Sequence, residues 1–105
     1  VTTFEEYERA QLFFRFGDYI TAAQILATVV ADAPTELAPR LLLARAYYHS
    51  AQLKRAETEL RLIIEQCPTE DYAMLMLGRT LQRQSRHDEA RPYLRLATAL
   101  GAPSA

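Results

Sequence analysis

The sequence predicts an all-α protein built from three repeated helix pairs. Three observations carry that expectation. Positions 34 residues apart match along the whole chain: Ala22, Ala56 and Ala90; Leu26, Leu60 and Leu94; Val29, Ile63 and Ala97. A period of this size marks supersecondary units that bury their apolar faces by stacking. Within each unit, apolar residues recur at three- and four-residue spacing, which places them on one face of a helix. Three glycines in 105 residues disfavour a turn-rich β protein, and a chain 50% hydrophobic and 24% charged fits a folded domain rather than a disordered one.

The units run over about 3–36, 37–70 and 71–104, within a single predicted domain of 1–105. Thr2 or Thr3 caps the first helix, with Glu5 or Glu6 at capping-box distance. Early in each unit a small residue (Ala10, Ala44, Gly78) is followed three positions later by a large one (Phe13, Tyr47, Leu81). In the second unit, Leu41, Leu43, Ala44, Tyr47 and Tyr48 form one stripe, and Ala51-Gln52-Leu53 marks a turn. Ala56, Leu60, Ile63 and Ile64 form the next stripe, stopped by Cys67-Pro68. Pro34 and Pro68 close the first two units, and Pro103 falls one residue late in the third. Thr35 and Thr69 are the predicted caps of the third and fifth helices, each followed by an acid that suits the positive end of the helix dipole. Pro39 then falls in a first turn, where its missing N–H costs little. Pro92 lies in or just past the first turn of the sixth helix, a place where proline kinks.

Composition removes several classes of function. Twelve Lys and Arg against thirteen Asp and Glu give a net charge of −1, without the basic footprint of a nucleic-acid binder. One cysteine excludes an internal disulfide framework and any multi-cysteine zinc site. No apolar run approaches membrane-spanning length, and Val1-Thr2-Thr3-Phe4-Glu5-Glu6 is not a secretion signal, so the expected home is the cytoplasm. The chain has no glycine-rich phosphate loop, Gly-x-Ser-x-Gly elbow or His-Glu-x-x-His helix. His49 and His87 read as surface histidines and Cys67 as a turn-flanking cysteine, so no catalytic, cofactor-binding or metal site is expected.

These residues resemble the tetratricopeptide repeat, a helix–turn–helix of 34 residues with a small residue, an aromatic, an alanine and a proline in this order. The resemblance covers nearly the whole chain, and Gly17-Asp18-Tyr19 is a family-like turn. The family's tryptophan is replaced by Glu6, Arg40 and Met74, and its nearby leucine by Arg9 in the first unit. The resemblance implies a right-handed solenoid of three antiparallel helix pairs, and a protein–protein interaction module in which the first helix of each pair lines a concave groove.

On those helices the inward candidates are Tyr7, Gln11, Phe14 and Arg15; Leu41, Arg45, Tyr48 and His49; and Tyr72, Arg79, Gln82 and Arg83. Arg45 and Arg79 are equivalent at the repeat offset, as are Arg15, His49 and Arg83. The expected groove is basic and aromatic, suited to a carboxylate, an acidic segment or a peptide C-terminus. The competing reading is a solvated surface, since arginines on exposed helix faces commonly contribute little. Co-chaperones of this family hold acidic chaperone tails with a clamp of lysine, asparagine and arginine. The matching positions here, Tyr7, Gln11, Leu42, Tyr72 and Met76, lack those side chains, so binding of that type is not expected.

A second reading is self-association. Residues 1–36 hold two arginines against six acids, residues 37–70 five cations against four acids, and residues 71–105 five arginines against three acids. Such a gradient aligns molecules head to tail, or is simply a solvated surface. With no residues left for a further capping helix, Phe4, Phe13 and Phe14 on the first helix and Tyr93, Leu96 and Leu100 on the last are expected to be partly uncovered, as at interfaces. Glu57 and Arg61 form an i,i+4 ion pair, whereas Arg91 and Arg95 are a like-charge pair. A minor alternative is RNA binding, in which Arg45, Arg79, Arg83, Tyr48 and Tyr72 stack on bases and neutralise phosphate; three units and a net charge of −1 oppose it.

Overall fold

Six helices form, and they keep the repeat's register. The computed structural model describes residues 1–103. Helices α1 (Thr3–Arg15), α3 (Leu37–His49) and α5 (Asp71–Arg83) start at 34-residue intervals. So do α2 (Tyr19–Asp32), α4 (Leu53–Gln66) and α6 (His87–Ala99). Among the described residues there is no strand. The fold class is all-α, of the helical-repeat kind. Residue 104, the last of the third sequence unit, and residue 105 lie outside the described residues.

Helix starts follow local chemistry. Thr2 caps α1, its hydroxyl accepting the Glu5 N–H at 3.1 Å, with Glu5 and Glu6 in the first turn. Asp18 caps α2 by accepting the Thr21 N–H at 3.1 Å. The expected caps Thr35 and Thr69 are corrected. The helices begin one residue later, with Glu36 and Glu70 at the cap positions and no side-chain cap bond. The prolines explain the shift. Glu36 N–H donates to Ala33 O at 3.1 Å and Glu70 N–H to Cys67 O at 3.0 Å, closing β-turns in which Pro34 and Pro68 hold the second position. Each threonine is thereby drawn into the turn. Pro39 sits in the first turn of α3 as expected, whereas Pro92 lies beyond the first turn of α6 and leaves the Asp88 carbonyl without its usual helical donor.

The ends of α1, α3, α5 and α6 repeat one device. After α1, Gly17 N–H donates to Phe14 O at 3.0 Å and Asp18 N–H to Phe13 O at 2.9 Å, the paired bonds of a Schellman cap. The same pair recurs as Ala51 to Tyr48 and Gln52 to Tyr47, as Ser85 to Gln82 and Arg86 to Leu81, and as Gly101 to Thr98 and Ala102 to Ala97. The residue at the bend is left-handed each time, with φ of 83° at Gly17, 61° at Ala51, 61° at Ser85 and 106° at Gly101.

The chain divides into two compact units, Val1–Gln52 and Leu53–Ala105. In the first, α2 packs against both α1 and α3. Ala10, Ala22, Leu26, Val29, Leu43 and Ala46 form its core, with Phe13, Phe14 and Tyr47 packed at the margin. In the second, α5 packs against α4 and α6 and is buried continuously from Ala73 to Gly78. Leu60, Ile63, Leu77 and Leu81 are wholly enclosed. The buried Thr80 hydroxyl is satisfied by Met76 O at 2.7 Å. Gly78 is needed for a close approach, since a Cβ there would lie 2.5 Å from Leu94 Cδ2 on α6.

Candidate functional site

The spacing of α1 and α3 brings a set of predicted groove residues together. Tyr7, Gln11 and Phe14 follow i, i+4, i+7 on α1, and Ala38, Leu41 and Arg45 follow i, i+3, i+7 on α3. With Arg15 and Leu42 they line an open cavity of about 600 Å³ within the first unit. Two arginines and no acid face this space, beside two aromatic rings and two leucines. The Arg45 guanidinium lies 4.9 Å from the Phe14 ring centroid, a cation–π contact that fixes its head.

Phe14 links the cavity to an aromatic cluster. Its ring meets Tyr19 edge-on at 5.0 Å and His49 at 5.8 Å; Tyr19 stacks on His49 at 4.8 Å, and Tyr48 meets His49 edge-on at 5.5 Å. His49 is exposed, as expected of a surface histidine, and is also part of this ring cluster. Tyr19, expected only as part of a turn, and Ala38 are not among the predicted groove residues. Tyr19 opens the second helix, and only the bend at Gly17 and the Asp18 cap turn it back onto Phe14.

In the second unit Tyr72 and Arg79 are half-buried and Gln82 and Arg83 exposed, spaced along one face of α5. None of the four lines the smaller cavity, of about 200 Å³, enclosed by Arg61, Ile64, Glu65, Leu77 and Tyr93. Of the expected uncovered residues, Phe4 is 67% exposed, Leu96 47% and Leu100 40%, while Phe13 and Phe14 are half-buried. Tyr93 is also half-buried: its hydroxyl takes a hydrogen bond from Arg61 at 2.9 Å and its ring lies under the same guanidinium, a side-chain link between α4 and α6.

The Glu57–Arg61 pair, ordinary in sequence, is one edge of a larger network. Glu57 is buried and accepts from Arg61 Nε at 3.0 Å, Gln84 Nε2 at 3.1 Å and Arg86 Nη1 at 2.6 Å, while Arg86 also holds Glu89. Burial pushes the Glu57 carboxyl upward, but the donors from Arg86, Gln84 and Arg61 outweigh it and bring the pKa down to about 2. The network ties α4 to the turn between α5 and α6. No signal local to residue 57 reveals it.

Fold and register together define a helical-repeat protein. The chain belongs to the tetratricopeptide repeat family: the family's sequence pattern matches residues 13–77, and a second tetratricopeptide repeat pattern matches residues 72–99. No curated protein matches the sequence. Among solved structures, a MamA mutant is similar at a TM-score of 0.90 and 18% identity, over 96% of this chain and 74% of that one. MamA from Desulfovibrio magneticus RS-1 aligns at 0.84 and 24% identity over 90% of this chain, which spans only 54% of that chain's length. The second TPR of Spaghetti (RPAP3), bound to the HSP90 peptide SRMEEVD, aligns at 0.85 and 19% identity over 93% of this chain and 91% of that one. At these identities the likeness is one of fold. Among the described residues no helix is long and apolar enough to cross a membrane.

Proposed function

We propose that the chain is a protein-interaction module, a small cytoplasmic adaptor that captures a peptide or protein segment carrying a carboxylate beside an apolar side chain. The observation that supports this reading is the cavity of the first unit, where Arg15 and Arg45 stand beside Tyr7, Phe14 and Leu41. A guanidinium presents parallel donors that match a carboxylate, and Phe14 and Leu41 offer an apolar floor for the neighbouring side chain. Binding of this kind uses shape and charge in a preformed groove and involves no chemistry. An acidic peptide is also what the similar Spaghetti (RPAP3) domain holds in its solved structure. The clamp side chains absent at Tyr7, Gln11, Leu42, Tyr72 and Met76 make a chaperone tail a poor candidate for the partner here.

Arg15→Ala with Arg45→Ala tests the reading. Affinity purification from the native cell, compared with the wild-type chain, loses the captured partner, with Kd weakened at least about tenfold for a charge-assisted contact. Helical circular dichroism stays intact. Undiminished capture by the double variant sinks the proposal.

A further inference from the structure

We infer that α6 of one copy of this chain receives the turn between α1 and α2 of a second copy, with Arg91 and Asp18 forming the central ion pair. This surface is independent of the groove. The protein already contains a junction of this kind. Within the second unit, Glu57 of α4 grips the turn after α5 through Gln84 and Arg86, the latter at 2.6 Å. Advancing Glu57 by one repeat of 34 gives Arg91, and moving Arg86 back by two gives Asp18. The charges are inverted at both stations, so α6 and the first turn complement each other as α4 and the third turn do. The corresponding pair in the first unit, Ala23 and Gln52, carries no charge.

The surrounding residues agree. Phe16 occupies the station of Gln84 and is 84% exposed, placed to lie on the Arg91 guanidinium as a cation–π partner. Leu12 is 48% exposed, although its equivalents Ala46 and Thr80 are fully buried. On α6, Leu94 is only half-buried where Leu26 and Leu60 are enclosed. Charge at the two stations selects a second copy as the occupant: Arg91 and Asp18 are both exposed and opposite in sign. Their surroundings are of mixed charge, where Arg9 and Arg15 accompany Glu5 and Glu8 on α1, and Asp88 and Glu89 accompany Arg95 on α6. Glu8 and Arg9 replace the buried Leu42 and Leu43 of α3, so the contact is polar at its rim and reversible. In the single chain Arg91 pairs with its own exposed Asp88, which it exchanges or shares on docking.

Sedimentation equilibrium of the 105-residue chain at rising concentration tests this. The expected result is a concentration-dependent mass above that of the monomer, reduced by added salt, since exposed ion pairs are screened. Arg91→Asp alone and Asp18→Arg alone each weaken association at least tenfold, and an equimolar mixture of the two variants restores it, because each then meets a complementary partner. Asp18→Asn, which retains a capping side chain for α2, also weakens association and controls for folding. A chain that stays monomeric to millimolar concentration, single variants that associate like wild type, or a mixture that remains monomeric overturns the inference.

Discussion

Ala51 and Ser85 hold φ of 61° at the same bend where Gly17 holds 83°. A left-handed backbone crowds Cβ against the following carbonyl, so glycine belongs at this Schellman position. Ala51→Gly and Ser85→Gly are each expected to stabilise the protein by about 0.5–1 kcal/mol, after the greater unfolded-state freedom of glycine is subtracted. Gly17→Ala should lose a similar amount through backbone strain alone, because an added Cβ there meets no atom within 4 Å. Urea unfolding of the three variants checks both signs. Glu57 gives a second residue-scale expectation. Its pKa falls from the ordinary 4.5 to about 2 on folding, so its stabilisation is complete above pH 4.5 and fades as pH drops toward 2. Glu57→Gln should cost about 2 kcal/mol at pH 6, and that difference from wild type should vanish near pH 2. A gap in urea midpoint unchanged across this range would refute the assignment. Arg61, four residues away, was visible from sequence; Gln84 and Arg86, at separations of 27 and 29, were not, because only the fold brings them near.

At the scale of elements, legibility followed whether the signal was periodic. All six helices were readable because each core stripe recurs at the 34-residue offset, and Tyr7, Gln11, Phe14, Leu41 and Arg45 converged because their spacing fixes one face per helix. Thr35 and Thr69 misled because the cap preference of threonine yields to a proline turn immediately before it. The ring cluster of Tyr19 and His49 depends on how one helix returns onto another, which spacing along a single helix does not contain. The small-residue station at Ala10, Ala44 and Gly78 has an energetic consequence. Gly78→Ala gains about 1 kcal/mol of helix propensity but drives Cβ into Leu94, and overpacking of this kind costs about 1–3 kcal/mol. Net destabilisation is expected, and Leu94→Ala in the same chain should recover part of it. A double-mutant cycle that shows no coupling between residues 78 and 94 contradicts the close approach of α5 and α6.

At the scale of the whole molecule, length predicts one domain over 1–105, whereas the packing groups residues into Val1–Gln52 and Leu53–Ala105. Repeat proteins gain stability from each unit and its neighbours, so a core lesion is felt first where it is made. Leu26 and Leu60 occupy the same repeat station and are both fully buried, one in each unit. Leu26→Ala and Leu60→Ala should each cost about 2–4 kcal/mol by leaving an enclosed cavity, and Leu94→Ala less because Leu94 is only half-buried. Hydrogen exchange then reports how the loss is distributed. Leu26→Ala should speed exchange mainly among the amides of residues 1–52, and Leu60→Ala mainly among those of residues 53–103, as expected of units that open separately. If either substitution accelerates the slow amides of both units equally, the chain unfolds as the one cooperative domain that its length predicts, and the division into two is a feature of packing without a thermodynamic counterpart.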